Sequence, residues 1–286
     1  MQNTGSRNSA ELEGVSRTLL LPLWARAREC NQPNPILTDN WVKQIVENLS
    51  TIASYKNSFD EMDRVFDRYY QLSQLIRAKC LDNEIRTFLT THPSGTIVNI
   101  GAGFDTTFAR VDNGLLNWYD LDLPEVITLR RKHIPETERT KCIAKSVLDT
   151  SWFDDIGDDR NGVMFVSCGV LFFLHGQQVK QLFLELTNRF AGSEAAFDTM
   201  SKLFMVIGNW SVLRRSGMGN QAVMRWSMRS AQGIVNWDKR ISVMSEYPMF
   251  SRIRVDKSWG KSVINRMRTV NRMRGINIFH LRLGAK

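Results

Sequence analysis

Apolar positions recur at helical spacing through the first ninety residues. The segment GVSRTLLLPLWARAREC (14–30) mixes apolar and basic residues with that period. NPILTDNWVKQIVENL follows, with Asp39 placed to cap a helix start. FDEMDRVFDRYYQLSQLIRAKCLDNEIRTFLTTH then reads as a long helical stretch that breaks once near its middle. At 93–95 the pattern changes. TIVNI (96–100) is a short β-branched run, and LNWYDLD (116–122) is a second strand. Pro124 opens a helix at a position that favours proline. Further strands are expected over 142–148, over 162–174 as an apolar run buried on both faces, over 193–200 and over 277–284. GQQVKQLFLELTNRFA forms an amphipathic helix between the fourth and fifth.

Strands alternating with helices predict βαβ units, hence an α/β fold with a parallel, Rossmann-like sheet covered on both faces. Residues 1–92 read as an N-terminal helical cap and 93–286 as the α/β domain. Residues 200–260 interrupt the alternation. Their Met, Trp and Arg content predicts a helical insertion over the sheet edge, forming a lid or acceptor pocket.

Composition narrows the class. Hydrophobic residues make up 43% of the 286, enough for a sizeable core. No apolar run reaches the roughly 20 residues of a membrane span, and the polar N-terminus lacks a signal-peptide core. A cytoplasmic protein without a membrane partner is the expectation. Cys30, Cys80, Cys142 and Cys168 include no CxxC pair, and the four histidines are scattered, so neither a metal site nor disulfides are expected. The net charge is +9 but uneven: residues 201–286 hold 17 Lys/Arg against 3 Asp/Glu. This bias fits a solvated basic surface or a field that attracts an anionic substrate. No motif supports a nucleic-acid partner.

The sharpest local signal is TIVNIGAGFDTT, a buried strand running into a glycine-rich turn and then a helix. Ligands of open α/β sheets bind at such strand ends. Gly101 and Gly103 let backbone approach a ligand closely. A dinucleotide fingerprint needs a third glycine where Thr106 stands, and no Walker lysine is present. The loop therefore favours a ligand without a pyrophosphate, such as S-adenosylmethionine. About 20 residues on, the second strand ends in Asp120-Leu121-Asp122, where an acid can accept from ribose hydroxyls. Alternation puts both aspartates on one side. Asp122 is favoured because it lies nearer the carboxyl end and precedes Pro124.

VNIGAGFDTTFAR, WYDLDLPEVITLRR, VLDTSWFD and TLLLPLWARARE together resemble the leucine carboxyl methyltransferase family, in particular its bacterial branch of tetracenomycin-type polyketide O-methyltransferases. The resemblance covers roughly 15–190. It implies a seven-stranded class I methyltransferase sheet and S-adenosylmethionine as cofactor. It further implies that Gly101, Ala102 and Gly103 line the methionine part and that Asp122 holds the ribose. Arg77 and Arg26 would pair with the cofactor carboxylate, a match for a guanidinium fork. Ser146 and Val147 would contact adenine, with Asp149 close by. The family's fourth strand commonly ends in Glu-x-Val-Leu-x-Tyr; here Cys168 replaces the carboxylate and Phe173 the tyrosine, at a strand end where a cofactor contact is otherwise expected.

The predicted chemistry is methyl transfer to an oxygen, most simply to the carboxylate of a polyketide-type small molecule. A carboxylate is already ionised at neutral pH, since its unperturbed pKa is about 4. It needs positioning and exclusion of water rather than a base. A phenol would need one, and His175, just after the fourth strand, is the best-placed candidate. Arg214, Arg215, Arg225 and Arg229 lie in the insertion with Trp210, Trp226 and Trp237, a mix suited to binding an anionic, partly aromatic acceptor, and Met224 and Met228 stand at helical spacing. Two other readings remain: a non-catalytic cofactor-binding or regulatory protein, suggested by Cys168 and Phe173, and an NAD-binding oxidoreductase, disfavoured by Thr106.

Overall fold

The computed structural model describes residues 17–157, 160–213 and 223–284. Among these, four α-helices precede the first strand: α1 (Leu20–Glu29), α2 (Val42–Ser50), α3 (Ala53–Val65) and α4 (Arg68–Thr91). Asp39 accepts the backbone N–H groups of Trp41 and Val42 at 3.1 and 3.2 Å, fixing the entry to α2. The expected break falls at Phe66 and Asp67, both extended, and the Asp67 side chain accepts from the Tyr70 N–H to start α4.

The α/β part runs β1 (Thr96–Ile100), α5 (Thr107–Val111), β2 (Asn117–Asp122), α6 (Pro124–Arg131), β3 (Thr140–Ala144) and β4 (Val163–Ser167). It continues through α7 (Gly176–Arg189), β5 (Glu194–Met200), α8 (Lys202–Gly208), α9 (Gln232–Val235), β6 (Ser242–Pro248), α10 (Lys261–Arg272) and β7 (Ile276–Arg282). The strands form one seven-stranded sheet in the order β3-β2-β1-β4-β5-β7-β6. The first five strands are parallel, and β7 is antiparallel to both neighbours. The order reverses between β1 and β4, whose residues are all buried. In an open sheet that reversal opens a crevice at the strand carboxyl ends.

Three expectations change. The third strand spans 140–144, not 142–148, so Ser146 and Val147 belong to the following loop. The fourth ends at Ser167; Gly169 turns the chain at φ +77° and a 3-10 turn covers Leu171–Phe173. The apolarity of 162–174 hides that turn, because Leu171 and Phe172 within it are buried too. The segment 200–260 is not simply helical. After α8, a π-helical Asn209–Leu213 and the short α9, it supplies β6, the edge strand itself.

One hydrophobic cluster joins the N-terminal helices to a sheet face: Leu23, Leu72, Ile76 and Phe88 pack with Ile97, Trp118, Met164 and Ile278. The second cluster fills the other face beneath α7. The helices before β1 thus share a core with the sheet. Among the described residues no helix is long and apolar enough to cross a membrane. No cluster of His, Cys, Asp and Glu there has the makings of a metal site, and the four cysteines are unpaired.

Candidate active site

The turn after β1 is held from every side. Gly101 and Gly103 adopt φ of +71° and +47°. A Cβ at Gly101 would lie 2.4 Å from Val170 Cγ2, so only glycine fits there. Gly101 N–H and Ala102 N–H donate to the Leu121 carbonyl at 2.8 and 3.2 Å. Below the loop, Arg130 donates to the Gly103 and Asp105 carbonyls at 2.8 and 2.7 Å and pairs with Asp120 at 2.6 Å. Asp120 also accepts from Asn99 and from the Trp118 indole, so its oxygens are consumed inside the fold. Burial pushes its carboxyl above the usual range, opposed by the Arg130 charge.

Asp122 differs. Its Oδ2 accepts from Gly103 N–H and its Oδ1 from Leu123 N–H, each at 2.8 Å, while the carboxylate lines the cavity beside the loop. Between the two aspartates that the pattern left open, the cavity therefore takes Asp122. Burial raises its carboxyl from the ordinary value, and the two N–H donors pull it back.

The loop borders a cavity of about 610 Å³, within the range of small-molecule sites. Arg77 on α4, Cys168 and Gly169 after β4 and Asp198 on β5 form one wall. The Gly169 turn leaves room for the Arg77 guanidinium, since a Cβ there would lie 2.7 Å from Arg77 Nη1. Burial pushes the Cys168 thiol up to about 12, against the pull of Arg77, so it stays protonated. Asp198 is not among the residues that the sequence motifs single out. A lone aspartate in the buried run EAAFDTM was nonetheless a marker, because a buried carboxylate needs a partner.

Arg26 lines the cavity, yet its guanidinium is committed. It donates to the Phe104 carbonyl and Thr106 Oγ1 at 2.8 Å, to Asp105 at 3.2 Å and to the Pro22 carbonyl at 3.3 Å, and pairs with Asp39 at 3.3 Å. It acts on the loop from behind rather than presenting a free fork.

Much of the remaining lining is apolar and aromatic, with Tyr69, Phe173, Phe204, Met224, Met249 and Val270. Arg266 of α10 also lines the cavity, its guanidinium 3.8 Å from the Tyr69 ring centroid and 3.3 Å from Asp67. Sequence reasoning missed Arg266 because only the tertiary fold brings α10 to α4.

Several expected residues stay away from the cavity. Ser146, Val147 and Asp149 lie in the loop after β3; the Asp149 side chain accepts from Ser151 N–H and caps a 3-10 turn. His175 is exposed at the start of α7, where its backbone N–H donates to Gln178. Arg225 donates to the Phe173 carbonyl at 3.1 Å, Trp226 packs against Phe197, Trp237 packs against Phe183, and Arg229 and Trp210 are exposed. Of the methionine pair, Met224 lines the cavity and Met228 belongs to the second core. Arg214 and Arg215 lie outside the described residues.

Comparison with known proteins decides the family. The model of the leucine carboxyl methyltransferase family matches residues 20–187, more than half of the chain. The chain belongs to the leucine carboxyl methyltransferase family. It is an S-adenosylmethionine-dependent methyltransferase, which sets the oxidoreductase reading aside. The tetracenomycin polyketide synthesis O-methyltransferase TcmP of Streptomyces glaucescens is 26% identical over 206 residues, 72% of this chain and 73% of TcmP. The S-adenosyl-L-methionine-dependent methyltransferase dpfgK of Gibberella zeae is 28% identical over 222 residues, 73% of this chain and 74% of that protein. Among solved structures, a candidate methyltransferase from Thermobifida fusca superposes with a TM-score of 0.62 at 11% identity, covering 99% of this chain and all of that one, and so shares the fold.

Proposed function

We propose that this family member methylates a carboxylate of a largely apolar, anionic small molecule, forming a methyl ester. The observation that carries the proposal is the pairing of aromatic and aliphatic cavity lining with a guanidinium, Arg266, while the carboxylates of the cavity are engaged on the loop side, Asp105 with Arg26 and Arg110, Asp122 with the Gly103 and Leu123 N–H groups and Asp198 beside Arg77. No histidine lines the cavity among the described residues. Burial holds the Cys168 thiol protonated and also raises the Tyr69 phenol. A neutral alcohol would need a proton acceptor, whereas a carboxylate, with a pKa of about 4, arrives ionised. The name of TcmP, a polyketide synthesis O-methyltransferase, supports an oxygen on a small molecule.

The residues present fit the cofactor. The positive-φ glycine loop, the Asp122 carboxylate beside it and the buried Arg77 supply backbone, acid and guanidinium along one cavity. In this reading Gly101, Ala102 and Gly103 border the methionine part, Asp122 accepts from the ribose hydroxyls and Arg77 binds the terminal carboxylate. S-adenosylmethionine supplies, when bound, an electrophilic methyl group on a sulfonium. The chain's part is to orient the two reactants, to exclude water and, through Arg266, to hold the acceptor's charge.

Transfer of labelled methyl groups from S-adenosylmethionine to a panel of aromatic carboxylic acids and matching phenols tests this reading. Expected is product from the acids that releases labelled methanol on mild alkaline hydrolysis. Label in alkali-stable ethers of the phenols, with none in the acids, overturns it.

A further inference from the structure

The buried pair of Arg77 and Asp198 has hydrogen-bonding capacity that nothing in the fold uses. Asp198 is 1% exposed. One carboxylate oxygen accepts from Gly169 N–H at 2.6 Å. The other, Oδ2, stands 3.5 Å from Arg77 Nη1 and has no hydrogen-bond partner. That separation exceeds the roughly 2.7–2.9 Å of a charge-assisted hydrogen bond. Arg77 binds the Gln74 side chain through Nη2, and its Nε is likewise buried without a partner. Buried polar atoms are nearly always satisfied, so two orphans on one wall call for an occupant. Both residues line the cavity next to Gly101 and Cys168. Cys168 is neutral, which leaves Asp198 as the acid facing Arg77 at this wall.

An opposed carboxylate and guanidinium, each incompletely bonded, complement a ligand group that carries one charge of each sign. An α-amino acid terminus is such a group. We infer that Asp198 and Arg77 together form the subsite for the amino-acid end of the cofactor, with Asp198 accepting from the α-ammonium and Arg77 donating to the carboxylate. The inference rests on the proposed seating of the cofactor along the glycine loop. It assigns a role to a β5 residue that lies outside the glycine and aspartate motifs. It also accounts for the tolerance of an uncharged thiol at Cys168, because the acid that balances Arg77 is contributed by the neighbouring strand.

The alternative is a tie between α4 and β5 that ignores the ligand, and ligand chemistry separates the two. Calorimetry would measure S-adenosylhomocysteine against its deaminated analogue, which keeps the carboxylate and lacks the ammonium. The unaltered protein is expected to prefer the amine-bearing ligand by about tenfold or more, the usual scale of a hydrogen bond to a charged group. In Asp198→Asn, which keeps the side-chain shape and an acceptor for Gly169, that preference is expected to fall to about twofold or less. A structural tie would weaken both ligands alike and leave the ratio unchanged, and that result overturns the inference. Should Asp198→Asn fail to fold, the ratio on the unaltered protein decides: equal affinity for the two ligands sinks the assignment. If the unaltered protein binds S-adenosylhomocysteine but the ratio does not depend on Asp198, this inference alone fails. If it binds neither ligand, the cofactor seating fails and takes the inference with it.

Discussion

At Gly101 the backbone holds φ +71° with Val170 packed against the missing side chain. Alanine there pays the left-handed penalty of about 1–2 kcal/mol and must also displace Val170. Gly101→Ala is expected to lower the melting temperature by several degrees and to weaken S-adenosylhomocysteine binding more than tenfold, by calorimetry. Native-like affinity would show that the loop does not carry the cofactor. Arg26 poses a different question, because its fork is spread over Phe104, Asp105 and Thr106. A lysine keeps the charge but not the fixed planar donors. Arg26→Lys should therefore reduce thermal stability and cofactor affinity together, as loosening of the loop requires. Loss of affinity with an unchanged melting temperature would make Arg26 a direct ligand instead.

At the scale of elements, what the sequence revealed follows burial and period. β1, its glycine turn and β2 were legible because a β-branched run, two glycines and a closing acid fall within 27 residues, 96–122. β6 was not. Its burial alternates poorly, Val243 and Met244 face solvent, and a bulge sits between Val243 and Ser245, as befits an edge strand. The proposed cofactor side of the cavity was therefore readable from local motifs, whereas the proposed acceptor side draws on α4, α8 and α10, whose meeting no local pattern encodes. α8 shows this division. Phe204 lines the cavity while Leu203 and Val206 on the same short helix stay exposed. Phe204→Ala is expected to raise the acceptor KM several-fold with kcat nearly unchanged, the signature of lost uniform binding. A fall in kcat at constant KM would place Phe204 in the transfer step rather than in acceptor binding.

Across the whole molecule, the basic C-terminal part finds acids contributed from earlier in the chain. Arg282 pairs with Glu194 at 3.0 Å and Arg252 with Glu84 at 3.5 Å. Part of the charge asymmetry is thus a fastening between the two ends of the sequence, not a field for substrates. At its centre His280 of β7, 2% exposed, lies between Glu84 of α4 at 2.9 Å and Glu194 of β5 at 2.8 Å. Tyr247 of β6 donates to the same Glu84 at 2.6 Å. Burial alone would drive the imidazole toward neutrality, but the hydrogen bonds and charges of Glu194 and Glu84 outweigh it and raise the pKa to about 9. Both glutamates are held below their usual range: burial raises them, and the bonds to His280, with Tyr247 on Glu84 and Arg282 on Glu194, more than reverse that. A histidine whose folded pKa exceeds its unfolded value of 6.5 stabilises fully below pH 6.5 and loses that contribution as pH rises through about 9. The glutamates contribute in the opposite sense, above their unfolded value of 4.5, and lose it as pH falls further. Thermal unfolding should therefore show a fall in melting temperature between pH 6.5 and 9.5 that is much smaller in His280→Gln, whose uncharged amide has no proton to lose. Parallel curves for the two proteins across that window would show that the imidazolium does not fasten α4 to the sheet.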